Sequence, residues 1–186
     1  MSENITVSLQ FTPNPNTLKF VVNRTLMDKG AANFTEVGKA EHAPFAKKLF
    51  DIPGVSAVMV GRNFVTITKS TSGNWDVLSA QVPKTIESYL ASGAPLFSPE
   101  FSLNAPGSGA EAEVEQKIRE ILDNEIRPAV AMDGGDIELQ RYENGIAYLY
   151  LQGACSSCPS AIMTLKMGVE ARLKEAVPEL KEVVEV

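Results

Sequence analysis

The stretch Gly153-Ala-Cys-Ser-Ser-Cys-Pro159 is the center of this sequence, because it holds Cys155 and Cys158, the only two cysteines among 186 residues. Apolar residues alternate with other residues over 147–151, directly before it, which predicts a β-strand. Pro159 suits the first position of a helix. The two thiols are therefore expected in a loop that joins a strand to a helix, with both sulfurs aimed outward.

The residues around this loop predict a compact unit of order α-β-β-α-β. An amphipathic helix is expected over 114–122, and Asp133-Gly-Gly-Asp136 reads as a turn whose glycines supply positive φ angles. Asn144-Gly145 is a strong signal for a type I′ hairpin between the next two strands. The helix after the cysteines has an apolar stripe over 162–173, and residues 180–186 can add a third strand.

The composition changes over residues 98–112, where proline, glycine, serine and alanine dominate. Such a segment is typical of an interdomain linker. The fold class predicted is therefore α+β, with two small domains joined by a flexible linker. The predicted boundaries are 1–98 for the first domain, 99–112 for the linker and 113–186 for the second domain.

The first domain also shows a mixed pattern of short strands and helices. Val7, Leu9 and Phe11 alternate and are expected on one face of a strand. Residues 55–60 and 64–68 read as a hairpin, and residues 75–90 carry a helical stripe. Pro83 lies inside that stripe, so a late helix start or a kink is expected there.

Charge and composition exclude several classes of function. The formal net charge is −6 and the sequence pI is about 4.9, which argues against a nucleic-acid partner. No apolar run is long enough to span a membrane. The first residues lack a positive region followed by an apolar stretch, so no secretory signal is expected. Together with the sparse cysteines, this predicts a cytoplasmic protein in a reducing compartment.

The spacing of the two thiols leaves several chemistries open. A four-thiolate zinc site or an iron–sulfur cluster needs twice the cysteines that one chain provides, so two chains meeting at a two-fold axis are the simplest way to complete it. A thioredoxin-like redox pair would also lie between a strand and a helix. However, only one helix and one strand follow Cys158, which is too little for the rest of that sheet. Two buried thiols with no chemistry are a further alternative.

The sequence resembles a known family over nearly its whole length outside the linker. Asp133-Gly-Gly-Asp-Ile137 and Leu151-Gln-Gly-Ala-Cys-Ser-Ser-Cys-Pro-Ser160 are similar to the carboxy-terminal domain of NifU, which the Nfu proteins share. Phe11-Thr-Pro-Asn-Pro-Asn-Thr-Leu-Lys-Phe20 and Ile52-Pro-Gly-Val55 resemble the Nfu amino-terminal domain.

This resemblance implies a carrier rather than an enzyme. It implies that Cys155 and Cys158 bind a 4Fe–4S cluster, or a 2Fe–2S cluster, shared by two chains of a homodimer. Its implied partners are upstream cluster-assembly factors and apo-proteins that receive the cluster. The first domain has no catalytic constellation that we can find and is assigned to partner recognition. The remaining alternatives are a dithiol oxidoreductase and a zinc-bridged structural dimer.

Overall fold

The computed structural model describes residues 4–101, 112–157 and 159–186 of the chain. Contacts divide the chain into two compact units, residues 1–103 and 104–186. Both units mix helices with strands, which confirms the predicted α+β class. Most of the predicted linker lies outside the described residues, so its flexibility and the boundaries at 98 and 112 stay predictions. No helix in the described ranges has the length and apolar character of a membrane-spanning segment.

The amino-terminal unit is a five-stranded sheet with two α-helices. Its strands and α-helices are β1 (Val7–Phe11), β2 (Thr17–Val22), β3 (Ala32–Phe34), α1 (Pro44–Phe50), β4 (Val55–Val60), β5 (Phe64–Lys69) and α2 (Trp75–Ala91). The sheet order is β1-β2-β5-β4-β3 and every neighboring pair is antiparallel.

The two helices and the sheet share one apolar core. Phe20 and Ile67 from the sheet, Phe45 from α1, and Leu78 and Ile86 from α2 are all completely buried within it. Burial of one such side chain contributes about 1.5–3 kcal/mol. The alternating apolar residues of the strands and the apolar stripe of α2 therefore supply the core of this unit.

One detail of this unit differs from expectation, and two others were not predicted. Of the late start or kink expected at Pro83, the late start is wrong, because helix α2 begins at Trp75 and continues through Pro83. The kink stays a prediction. The Asn74 side chain accepts a hydrogen bond from the Asp76 N–H at 2.8 Å, and this cap stabilizes the first turn. Phe11 is 84% exposed, because β1 is an edge strand and Phe11 is its last residue. The short strand β3 was not predicted.

The carboxy-terminal unit confirms the predicted order α-β-β-α-β, with its first helix broken into pieces. Its α-helices and strands are α3 (Ala112–Ile121), α4 (Arg127–Met132), β6 (Gly135–Glu143), β7 (Ile146–Gly153), α5 (Pro159–Ala176) and β8 (Glu182–Glu185). A π-helical segment, Leu122–Ile126, joins α3 to α4. Strand β7 is central, antiparallel to β6 and parallel to β8.

The β6–β7 hairpin brings the predicted turn and the cysteine loop to the same end of the sheet. Asn144 and Gly145 have φ angles of 55° and 86°, as a type I′ turn requires, so the hairpin prediction is confirmed. Its register pairs Gly135 at the start of β6 with Gly153 at the end of β7. The hairpin therefore places residues 133–136 beside the residues that lead into the cysteines.

A buried ion pair lies next to this meeting point. Asp136 was expected where the turn ends and the strand begins, and it belongs to β6. It is buried, and its Oδ1 lies 3.0 Å from Nε of Arg127. Arg127 also donates to the carbonyl of Ile137 at 2.9 Å and contacts Asp123 at 2.6 Å. This arginine therefore ties the segment between α3 and α4 to the first residues of β6.

The second carboxylate oxygen of Asp136 lacks a hydrogen bond. Asp136 lies opposite Gln152 in the strand register, and Oδ2 of Asp136 and Oε1 of Gln152 are both buried without a hydrogen-bond partner among the described residues. Loss of solvent raises the pKa of Asp136 from its ordinary value of 3.8 to about 6, although the Arg127 guanidinium acts in the opposite direction. The ionized carboxylate is therefore only partly compensated in this site.

The raised pKa predicts how Asp136 affects stability. The folded state holds this proton more tightly than the unfolded state, so the stabilizing contribution is complete below pH 3.8 and is lost as the pH rises to about 6. This loss corresponds to about 3 kcal/mol in the free energy of unfolding. Asp136→Asn should remove this dependence and leave the chain at least as stable as the parent at pH 8, because the amide oxygen can still accept from Arg127.

Urea unfolding of both proteins between pH 4 and pH 8 measures this difference. Asp123→Asn is the matched control, since Asp123 contacts the same arginine from a half-exposed position and its loss should cost no more than about 1 kcal/mol. Parallel pH curves for the parent and Asp136→Asn would contradict the prediction.

Candidate functional site

The cysteine loop joins β7 to α5, as the sequence predicts. Gly153 ends β7 with a φ of 65°, a conformation that favors glycine, and the chain then makes a 3₁₀ turn over Ala154–Ser157. The hydroxyl of Ser156 donates to the carbonyl of Gly153 at 2.9 Å. Helix α5 starts at Pro159. The left-handed glycine and the short turn together reverse the chain within a few residues.

Cys155 does not point outward, contrary to expectation. It is only 6% exposed and belongs to the apolar core of the unit, together with Leu151 and Val169. Instead, the 3₁₀ turn directs this side chain inward, toward the start of β6.

Gly135 provides the space that the Cys155 side chain occupies. A Cβ atom at position 135 would overlap Sγ of Cys155, and it would lie 2.9 Å from the Cys155 Cβ and 3.0 Å from the carbonyl oxygen of Gln152. The φ angle of Gly134, by contrast, is 76°, so of the two adjacent glycines only Gly134 has the positive φ expected for the turn. Gly135 is needed for close packing, a role that the sequence did not reveal.

The backbone holds the two loops together. The Ala154 N–H donates to the carbonyl of Gly134 at 3.1 Å, next to the Gly135–Gly153 pair of the sheet. The residues 133–136 and the cysteine loop therefore form one structural site. We name the space beside Gly135 that holds the Cys155 side chain the glycine notch.

Cys158, the second predicted ligand, lies outside the described residues, so its role stays a prediction. Helix α5, which begins at the next residue, runs for 18 residues to Ala176. In the described ranges, no group of three or more His, Cys, Asp or Glu side chains is arranged to hold a metal ion.

Two methionines, Met163 and Met167, occur four residues apart in the helix that follows the cysteine loop. Both are on α5 and are largely exposed, so core packing is excluded, while Val169 and Leu173 fill the core as predicted. Met132, which the sequence analysis did not single out, is also exposed and lies at the end of α4.

Two family models match the chain, one in each unit. The model described as "NifU-like domain" matches residues 118–184, and the model "Scaffold protein Nfu/NifU N terminal" matches residues 7–93. The second match covers the sheet and helices of the amino-terminal unit, and the first includes the cysteine loop.

Curated relatives match almost the full length of the chain. The human protein named "NFU1 iron-sulfur cluster scaffold homolog, mitochondrial" is 40% identical over 97% of this chain and 71% of its own length. The protein of the same name from Drosophila virilis is 43% identical, and the match covers 97% of this chain and 61% of the relative. "NifU-like protein 4, mitochondrial" from Arabidopsis thaliana is 40% identical, and the match covers 95% of this chain and 64% of the relative.

The chain thus spans between three fifths and three quarters of the length of these relatives. Among solved structures, the solution NMR structure of a NifU-like protein from Saccharomyces cerevisiae matches 54% of this chain and 91% of its own. The identity is 24% and the TM-score is 0.47.

The names of the relatives overturn one expectation. A cytoplasmic location was expected from the composition and the first residues, but the human and Arabidopsis relatives are named mitochondrial. The cysteine content indicates only a reducing environment, and such an environment does not distinguish one reducing compartment from another.

Identity of 40% to the human relative over 71% of its length, with a matching family model in each unit, establishes the family. The chain therefore belongs to the Nfu family, with an Nfu amino-terminal domain followed by a NifU-like domain.

Proposed function

We propose that this chain is an iron–sulfur cluster carrier, which receives a cluster at Cys155 and Cys158 and transfers it to apo-proteins. The observation that carries the proposal is the cysteine loop between β7 and α5, inside the segment that matches the NifU-like domain. The names of the relatives, iron–sulfur cluster scaffold proteins, support the same role. In this role the cluster is cargo, and the chain itself catalyzes no reaction.

The number of cysteines supports a cluster shared by two chains. Each chain has two cysteines, whereas cubane clusters are bound by four thiolates. Two copies related by a two-fold axis would supply four identical ligands. The proposed cargo is a 4Fe–4S cluster, and a 2Fe–2S cluster needs the same four thiolates.

Transfer would proceed by exchange of thiolates. Each step breaks one iron–sulfur bond to the carrier and forms one to a cysteine of the apo-protein, so the oxidation state of the cluster does not change. The proton of the incoming thiol passes to the released carrier thiolate. Because each chain contributes only two ligands, the cluster can leave in steps without unfolding of either unit.

The glycine notch adds an energetic argument for release. Cys155 must leave the notch before its sulfur can bind iron, so the free energy of this opening is subtracted from the affinity for the cluster. After transfer, the side chain can return to its buried position. A carrier benefits from this arrangement, since a ligand that has a stable metal-free position holds its cargo less tightly.

The first test is anaerobic reconstitution with iron and sulfide, followed by the visible spectrum, metal analysis and size-exclusion chromatography. A brown dimer with about four irons per two chains is expected from four thiolate ligands. Cys155→Ser and Cys158→Ser should each abolish the cluster and cluster-dependent dimer formation. A Ser variant that retained a stable cluster would refute the ligand assignment.

Two other outcomes of this test point to the alternative functions. A colorless protein that binds no iron on reconstitution but reduces a disulfide substrate would establish the dithiol oxidoreductase. A dimer that binds one zinc ion and does not bind iron would establish the zinc-bridged structural role.

The glycine notch makes a second prediction, about thiol reactivity. In a Cys158→Ser background, Gly135→Ala should displace the Cys155 side chain and increase its reaction rate with a disulfide reagent by about ten-fold, which corresponds to about 1.4 kcal/mol less opening free energy. Gly168→Ala is the matched control, because a Cβ built there meets no heavy atom of the described residues within 4 Å beyond its own turn of α5. Equal reaction rates of Cys155 in the two alanine variants would contradict the proposed packing of Cys155 in the glycine notch.

A further measurement covers the case in which Gly135→Ala does not fold. In the same background with Gly135 intact, Cys155 should react at least about ten times more slowly than a synthetic peptide of residues 150–160, because a buried thiol reacts only after local opening. A Cys155 reaction rate equal to that of the peptide would also refute the packing of Cys155 in the glycine notch.

The amino-terminal unit is proposed to recognize partners. It has its own core and matches the Nfu amino-terminal model, whereas the proposed ligands both lie in the other unit. Deletion of residues 1–98 should therefore leave cluster loading intact and slow delivery to some apo-proteins. Loading per chain and transfer rates to a panel of apo-proteins measure this, and equal rates for every apo-protein would refute the assignment.

A further inference from the structure

The exposed apolar side chains of the carboxy-terminal unit are mostly methionines. Among its described residues, the large apolar side chains that are exposed are Met132 (75%), Met163 (69%), Met167 (70%) and Val186 (52%). Val186 is the last residue of the sequence. We name Met132, Met163 and Met167 the methionine surface.

The three methionines lie on α4 and α5, whose ends lead to the two segments that meet at the cysteine loop. Met163 and Met167 are four residues apart on α5, the helix that follows the loop, and therefore share one face. Met132 is two residues before Gly134, whose carbonyl accepts the hydrogen bond from Ala154. The methionines thus belong to the elements on both sides of the loop.

Core packing does not explain these methionines. On α5 the core positions are taken by Val169 and Leu173, which are 2% and 0% exposed. A cluster of exposed apolar side chains usually marks an interaction surface. Methionine is unbranched and polarizable, so it adapts to partners of different shape, which suits a carrier with more than one recipient.

The charge of the two units indicates the kind of partner. Residues 104–186 contain eight Lys and Arg against fifteen Asp and Glu, a net charge of −7, whereas residues 1–103 contain nine against eight, a net charge of +1. Several cations of the acidic unit are already paired: Arg127 with Asp123 and Asp136, and Arg172 with Glu125. A second copy would bring another −7, while a basic segment would be attracted.

We propose that the methionine surface docks the cysteine-bearing segment of the recipient apo-protein, and that this segment has basic residues around its cysteines. The inference rests on the proposed function, because it assigns the recipient to the same site. Docking on α5 and α4 would bring the incoming thiols next to the cysteine loop, where exchange must occur. The favored occupant is therefore the recipient and not a second copy of the chain.

The test uses the full-length, reduced, metal-free chain with methyl-¹³C methionine, observed by NMR. Two peptides of equal length are titrated, both with three cysteines in a C-x₂-C-x₂-C pattern, one flanked by lysines and the other by glutamates. The methyl signals of the methionine surface should shift with the lysine peptide. Met27 and Met59, which are 7% and 1% exposed, are internal controls and should not shift.

Binding of the glutamate peptide should be at least about ten-fold weaker at low salt, and the difference should shrink as salt screens the charges. Equal binding of both peptides, or no shift with either, overturns the proposal. Signals that shift with protein concentration and not with peptide would identify a second copy as the occupant, which also overturns it.

A variant links docking to transfer. Met163→Gln combined with Met167→Gln keeps helix propensity nearly unchanged, so α5 should form normally. Iron loading should equal that of the parent, while transfer to the lysine peptide should slow by about five- to ten-fold, as expected for loss of two apolar contacts. Val77→Gln, at a 44% exposed position on α2, is the control and should transfer at the parental rate.

The outcomes separate this inference from the proposed function. A parent chain that does not load iron refutes the carrier role, and the metal-free titration still decides whether the methionine surface binds the peptide. A parent that loads and transfers, with a double variant that transfers equally fast, overturns the methionine surface alone.

Discussion

The packing of Cys155 into the glycine notch is the contact on which the organization of the carboxy-terminal unit depends. It joins the start of β6 to the turn that follows β7, and it can form only because residue 135 has no side chain. The hydrogen bond from Ala154 to Gly134 and the pairing of Gly135 with Gly153 hold the two backbones at the required distance. Cys155 is therefore held in a defined, buried position within the loop.

A closed loop affects both the protection of the thiol and the strength of cluster binding. A thiol that is 6% exposed reacts with oxidants only through local opening, so burial protects Cys155 from oxidation. In the proposed carrier, the same opening reduces the affinity for the cluster. A permanently open site would bind the cluster more tightly and release it more slowly. The packing of Cys155 against Gly135 would thereby both protect the thiol from oxidation and favor transfer of the cluster.

Local signals in the sequence predicted most of the elements, and the failures concern contacts between distant segments. Asn144-Gly145 and Pro159 mark the hairpin and the start of α5 through their own backbone preferences, which do not depend on the rest of the fold. The burial of Cys155 depends instead on Gly135, twenty residues earlier and across a sheet. Small residues beside the cysteine are equally compatible with an exposed or a buried sulfur.

The same limit applies to other features that the sequence did not predict. Asp136 and the preceding glycines have the composition of a turn, but the hairpin register extends β6 to Gly135 and buries the carboxylate beside Arg127. The alternation of Val7, Leu9 and Phe11 predicts one face of a strand, but it cannot show that Phe11 extends past the core. In helix α2, packing of the apolar stripe outweighs the hydrogen bond that Pro83 cannot donate.

The charge of the carboxy-terminal unit makes the proposed dimer dependent on its cargo. Screening limits repulsion between exposed charges to about 8 Å at physiological salt, so two units of charge −7 repel each other mainly when they are in contact. Bonds from four thiolates to one cluster can overcome this repulsion. As ligands transfer to a recipient, the attraction is lost and the repulsion remains. Departure of the cluster and separation of the two chains are then coupled.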